Sequence, residues 1–441
     1  MDVTGVIKNR HNSIPDEFIQ SATIGFDNFA THCVIFVQDV DDIKREFMFS
    51  DFGEFTNINK QNYSLLLFAS LLLLMAIGAV LLFSQCEQFG AVPSGSHHQR
   101  MTESPNYNPE KDIFVNETPG VIDEMFANSG FWANPRKNLT NNFLFNPNTP
   151  TPNVLLPEVR GHLPSDLRDT SDTVKFTWLG HATVLASINE KTILFDPVFS
   201  ESAAPVSWVV KRYQPPAISI DELPSIDFIV ISHDHYDHLD MKAIKFFRES
   251  HTRFLVPLGV ASHLEHWGIR RDRVIEFDWW QTRDIAGISF TCTPAQHFSG
   301  RTATIAMQKT LWSSWALRTE ATSVYFSGDS GYAGHFKEIG DRLGPFDLTF
   351  IDAGQYNERW RQVHNLPPEV IDAFNDLNGN ILVPIGWGMF TLALHDWFEP
   401  PVEISSRALE IGAIAVIPRF GEWVDIKQKL PDEKWWEPII E

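Results

Sequence analysis

From about Thr173 onward the chain is a succession of short apolar runs bounded by turn residues: VKFTWLG, ATVLASI, KTILFDP, FIVISHD, RFLVPLG, SFTCTPA, SVYFSGD, DLTFIDA, NILVPIG and AIAVIPR. Runs of this length, rich in β-branched and aromatic residues, predict strands. Helix-like stretches lie between several of them, among them Asp240 to Glu249 and Pro367 to Asn375. Hairpin-like pairs at the start, then strands alternating with helices, predict an α/β sandwich over 173–441, with helices outside two sheets.

A different pattern precedes it. Nothing charged lies between Lys60 and Glu87, and Tyr63 to Phe83 reads YSLLLFASLLLLMAIGAVLLF. That run is long enough to cross a hydrocarbon core of about 30 Å as a helix, and it lacks the polar stripe of a core helix. It predicts a single transmembrane helix or signal-anchor over 63–83. A cleavable signal peptide is the competing reading, but the run is long for one and starts far from Met1. FSQC at 83–86 loosely matches a lipid-anchor site at Cys86, with Gln85 where a small residue is expected. Lys44, Arg45 and Lys60 precede the run and Arg100 is the first basic residue after it. The positive-inside tendency then places the C-terminal domain on the extracytoplasmic (periplasmic) side of a single-pass membrane protein. Residues 1–62 form a segment of unknown role without a functional motif, in which Met48 is an alternative start. Residues 84–172, rich in Pro, Asn, Ser and Gly, read as a linker and an irregular extension of the catalytic domain, with His97 and His98 in a solvated loop.

Composition narrows the partners. The formal net charge of -21 argues against nucleic acid, which needs a basic footprint, and against long-range attraction to an anionic lipid surface. An anionic substrate must then be held by local cations. Cys33, Cys86 and Cys292 lie far apart without a C-x-x-C pair, which argues against a disulfide framework or a cysteine zinc cluster.

The chemistry concentrates in Ile231-Ser232-His233-Asp234-His235-Tyr236-Asp237-His238. The apolar run FIVIS delivers these groups just past a strand end. Residues two apart on an extended turn project to one side, so His233 and His235 can grip one ion, while Asp237 and His238 turn toward a second. Imidazole and carboxylate suit zinc, with iron or manganese as alternatives. Two such ions about 3.5–4 Å apart would share a water and make it a nucleophile near neutral pH. Two further strand ends offer ligand candidates: His297 after SFTCTPA and Asp329 after SVYFSG.

The H-x-H-x-D-H run resembles the signature of the metallo-β-lactamase superfamily. The words TWLGHAT, ILFDP, ISHDHYDHLD, EFDWW, PAQH, FSGDSGY and GPFD are similar to those of the phospholipases D that hydrolyse N-acyl phosphatidylethanolamine. The likeness runs from about Phe89 to Pro401. It implies a four-layer αββα sandwich, a first zinc on His233, His235 and His297, a second on Asp237 and His238, and Asp329 bridging both. It implies a structural or supporting place for His181, a supporting one for Asp196, and a place near the substrate phosphate for His364. Asp237, beside the nucleophile, would also handle protons, so Asp237 and His364 are the candidate catalytic residues. There is one departure. The family's last ligand to the second zinc is a His in an I-H-W-G-T-F context, and here Gly386 stands in PIGWGMF. The second ion is then weaker, takes water, or recruits His395 from LALHDW. The implied activity is zinc-dependent hydrolysis of a membrane phospholipid to N-acylethanolamine and phosphatidic acid, by a homodimer on the family pattern. A lactonase or nucleotide phosphodiesterase on the same site is the alternative, and a membrane scaffold or sensor with a degraded metal centre is a third reading.

Overall fold

The structure is a computed structural model that describes residues 70, 87–129, 148–161, 167, 173–302 and 307–440. The chain divides into two compact units, 1–77 and 78–441, and the description below concerns the second. Segment 1–62 and the expected membrane span 63–83, apart from Ser70, lie outside the described residues. Among the described residues no helix is long and apolar enough to cross a membrane.

The extension before the sandwich is built, not merely irregular. It carries a helix, α1 (Ser96–Thr102), a small ribbon of β1 (Tyr107–Asn108) and β2 (Ile113–Phe114), and a helix α2 (Val121–Ser129). Met101, Tyr107, Phe114 and Leu156 are buried in the main core. His97 and His98 lie on α1 with carboxylate partners rather than free in a loop: His97 meets Glu265 at 3.1 Å and Glu276 at 3.4 Å, and His98 meets Asp112 at 2.7 Å.

The first sheet contains β3 (Val174–Trp178), β4 (Val184–Ile188), β5 (Lys191–Phe195), β6 (Phe228–Val230), β7 (Arg253–Pro257) and β8 (Val274–Phe277). The second contains β9 (Thr282–Ile285), β10 (Ile288–Thr293), β11 (Ser314–Arg318), β12 (Ser323–Phe326), β13 (Leu348–Asp352), β14 (Ile381–Ile385) and β15 (Ile414–Ala415). A last strand, β16 (Trp423–Asp425), returns to pair with β3. The two orders are β16-β3-β4-β5-β6-β7-β8 and β15-β14-β13-β12-β11-β10-β9. Each sheet opens with antiparallel hairpins and continues with parallel strands.

Both faces of the inner strands are covered, so the runs are continuously apolar, yet period-two side choice persists. Val184, Ala186 and Ile188 of β4 face the core between the sheets, while Leu185 belongs to the outer core under the helices. Likewise Leu348 and Phe350 of β13 point inward and Ile351 outward. Outside the first sheet lie α3 (Met241–Phe246) and α4 (Ala261–His266). Outside the second lie α5 (His335–Leu343), α6 (Pro367–Asp376) and α7 (Glu399–Ile411). Asp240 caps α3 by accepting the Lys242 N–H, and it also takes the N–H groups of Phe199 and Ser200, which turns the chain sharply after His238. The result is a helix–sheet–sheet–helix sandwich, in agreement with the α/β expectation.

Candidate metal centre

The turn 231–238 leaves the C-terminal end of β6, and two buried groups fix it. Asp196, at the end of β5, accepts the Ser232 N–H at 2.7 Å, the Ser232 hydroxyl at 2.6 Å and the His238 Nδ1–H at 2.7 Å. The single Ser232 proton is therefore committed to Asp196. Its oxygen is left as an acceptor, 2.9 Å from His233 Nδ1. His233 must carry its proton on Nδ1, which leaves Nε2 as a bare lone pair.

His297 follows β10 and reaches the same place from the second sheet. Its Nδ1 lies 3.0 Å from the Val363 carbonyl, which only accepts, so its Nε2 is also a lone pair. Asn116, from the extension, brackets its backbone: the Asn116 amide donates to the His297 carbonyl at 2.9 Å, and its oxygen accepts the His297 N–H at 3.1 Å.

These lone pairs point at each other. His235 Nδ1 is 2.9 Å from His233 Nε2 and 3.2 Å from His297 Nε2. Asp329 Oδ2, just past β12, lies 3.9 Å from His233 Nε2, 3.7 Å from His297 Nε2 and 3.1 Å from His238 Nε2. Burial holds His233 and His297 well below the usual histidine range, helped at His233 by the neighbouring imidazoles and opposed at His297 by the Asp329 charge. Burial also lowers His235, against the pull of nearby carboxylates. Neutral His235 has one ring proton and can donate it through Nδ1 to only one of the two inward lone pairs, whereas a cation would satisfy all three nitrogens together. The donor set thus fits a divalent metal of the zinc type.

A second cluster adjoins the first. His181 Nε2 lies 2.8 Å from Asp237 Oδ2, which is 3.5 Å from His238 Nε2. Burial penalises the Asp237 charge, but the charge of His238 and the hydrogen bond from His181 outweigh it and hold the carboxyl well below its ordinary range. For His238 burial acts downward, while the charges of Asp329 and Asp237 and the Asp196 hydrogen bond raise it well above the ordinary value.

A model described as the Beta-lactamase superfamily domain matches residues 191–387. The N-acyl-phosphatidylethanolamine-hydrolyzing phospholipase D 1 of Caenorhabditis elegans is 36% identical over 238 residues, 51% of this chain and 67% of the worm protein. The chain belongs to the beta-lactamase superfamily. Its relatives there include an uncharacterized protein of Mycobacterium tuberculosis, 38% identical over 278 residues, covering 62% of this chain and 74% of that one. They also include the mitochondrial N-acyl-phosphatidylethanolamine-hydrolyzing phospholipase D of Saccharomyces cerevisiae, 30% identical over 260 residues, 56% of this chain and 55% of the yeast protein. The chain is accordingly a metallo-hydrolase of the superfamily.

His364 is brought to the centre: its Nε2 is 4.0 Å from Asp329 Oδ2, and its Nδ1 is 2.8 Å from Asp352 Oδ2. Burial alone would lower it, but the charges of Asp352 and Asp329 raise it to about 9. His395 is not brought in. Its ring stacks on Tyr356 with centroids 4.2 Å apart, and its Nδ1 donates to the Asp396 carbonyl at 2.9 Å. Burial pushes it down to about 4. Gly386 itself faces Asp352, since a Cβ on it would lie 2.6 Å from Asp352 Oδ1. Asp352, Ser232 and Asn116 escaped the reading of the sequence. Of the three, Asp352 carried a usable signal. It ends the run DLTFID on β13, the parallel neighbour of the strand that delivers Asp329.

Proposed function

We propose that this metallo-hydrolase is a zinc-dependent phosphodiesterase of the phospholipase D type, hydrolysing N-acyl phosphatidylethanolamine to N-acylethanolamine and phosphatidic acid. The observation that carries the reading is the convergence of ring nitrogens of His233, His235 and His297 with the Asp329 carboxylate, with the His364 N–H at its edge. The worm and yeast relatives, named for that lipid, support the substrate.

His233, His235 and His297 would hold one ion, Asp237 and His238 a second, and Asp329 would stand between them. Bound divalent ions act as Lewis acids and supply an oxygen nucleophile at neutral pH. The chain's own groups do the rest. Asp352 fixes the proton of His364 on Nδ1, and the imidazolium presents its Nε2–H toward the centre. There it can hold a phosphate oxygen and give the departing alcohol oxygen its proton. The bond that forms joins a water oxygen to phosphorus; the bond that breaks joins phosphorus to the ethanolamine oxygen. Asp237, partly open to the site and too acidic to keep a proton, would receive the proton lost by that water and pass it on to solvent. A helix at 63–83 would tether the domain in a single pass and keep a two-chain lipid within reach.

The test is zinc-loaded protein with the lipid in mixed micelles and mass spectrometry of both products. Both products are expected. Cleavage of a simple phosphodiester reporter without N-acylethanolamine would reject the lipid and keep the hydrolase. A protein that binds zinc and cleaves neither substrate would be a scaffold or sensor.

A further inference from the structure

We propose that His181 takes the ligand place that Gly386 cannot fill, so that a second divalent ion is held by His181 Nε2, Asp237 Oδ2 and His238 Nε2. The inference rests on the metal-dependent reading above and goes beyond it by naming a ligand.

The room for a side chain at 386 is already taken, because a Cβ there would press on the Asp352 carboxylate that orients His364. Gly386 and His181 are tied together: the Gly386 N–H donates to the His181 carbonyl at 3.0 Å, and the His181 N–H donates to the Trp387 carbonyl at 2.9 Å. The His181 imidazole thus leaves the backbone beside the point from which a side chain at 386 would have started. His181 is 1% exposed and adopts φ +50°, a left-handed conformation that costs a non-glycine residue and that the surrounding hydrogen bonds enforce.

The three donor atoms lie within 4.8 Å of one another. That span suits ligand bonds of about 2.0–2.2 Å to one ion. His238 has given its Nδ1–H to Asp196, and its Nε2 is buried without a hydrogen-bond partner, aimed between Asp237 and Asp329. With Asp329 beside His238, these donors would make up the nitrogen and oxygen set that zinc takes. His395 cannot compete while it is stacked on Tyr356. The 2.8 Å contact of His181 Nε2–H with Asp237 is a hydrogen bond whose proton the ion would replace; in the competing reading that bond persists beside bound zinc.

The deciding experiment is a crystal structure of the zinc-loaded full chain with anomalous maps, joined to metal analysis of wild type, His181→Ala and His395→Ala. The expected result is two ions per chain in wild type and in His395→Ala, with the second ion about 2.0–2.1 Å from His181 Nε2, and one ion in His181→Ala. Two ions retained by His181→Ala, a single ion in wild type, or a second ion with His181 still bonded to Asp237 would each overturn the inference. Because the wild-type map decides alone, misfolding of the variant does not leave it untested. A single ion together with cleavage of the lipid would overturn this inference and leave the proposed function standing.

Discussion

The two clusters of the centre share one turn, 231–238, but are held with unequal firmness. In the first, His233 and His297 each have the non-facing nitrogen committed, to the Ser232 hydroxyl and to the Val363 carbonyl. Both rings are thereby locked in the tautomer that turns a lone pair inward. In the second, only His238 is locked, by Asp196. His181 Nδ1 is buried without a partner, and the Asp237 side chain is 14% exposed. Supporting hydrogen bonds set both ring orientation and ligand basicity. A pre-organised first cluster and a looser second one therefore predict one tight ion and one weaker one.

The largest effect should come from removing an inward lone pair of the first cluster. His233→Ala or His297→Ala is expected to lower kcat/KM at least about a thousandfold, equivalent to about 4 kcal/mol of transition-state stabilisation. Metal analysis should show the tight ion lost. If either variant keeps its tight ion and its activity, the two clusters have been ranked the wrong way round.

Ser232→Ala is next. It removes the acceptor that fixes the His233 tautomer and one donor to Asp196, which in turn holds His238. One substitution therefore loosens both clusters. Losses of about 10–100-fold in zinc affinity are expected, read by competition with a chromophoric chelator. Asn116→Ala, by contrast, touches only the backbone of His297. It should weaken the first ion by about thirtyfold or less, since it removes two neutral hydrogen bonds worth about 1 kcal/mol net each. An equal loss at both ions would contradict the separation of the clusters.

How much of this was legible in the sequence follows the same divide. The turn 231–238 could be read because its donors sit at fixed spacing after an apolar strand, and His297 and Asp329 because they too sit just past strand runs. The α/β sandwich could be read because helical stretches interrupt the strands. What escaped were pairings made by tertiary structure alone. Ser232 meets Asp196 because β6 lies parallel to β5. Asn116 comes from a Pro- and Asn-rich stretch whose Met101 and Phe114 are nonetheless in the core. His395 misled for the opposite reason. It is near Gly386 in sequence, but stacking on Tyr356 and the bond to Asp396 draw its ring elsewhere, and no spacing rule encodes that.

The smallest expected effect concerns acid rather than activity, and it probes the second-sheet side that delivers Asp329. His335, at the start of α5, is 4% exposed and lies 3.1 Å from the Ser330 hydroxyl, next to Asp329. Burial pushes it down to about 3 from an ordinary 6.5. Above pH 6.5 neither folded nor unfolded chain protonates this group. Between 6.5 and about 3 the unfolded chain binds a proton that the folded chain refuses. Stability is therefore lost as pH falls through that window, by at most about 1.4 kcal/mol per pH unit from this residue. His335→Gln removes the titration while keeping a polar group near Ser330, so its melting temperature should fall less steeply between pH 6.5 and 4.5 than that of wild type. Parallel curves would mean that His335 takes up its proton in the folded state. The acid sensitivity would then have to come from the carboxylates held below their ordinary range, Asp237 and Asp329.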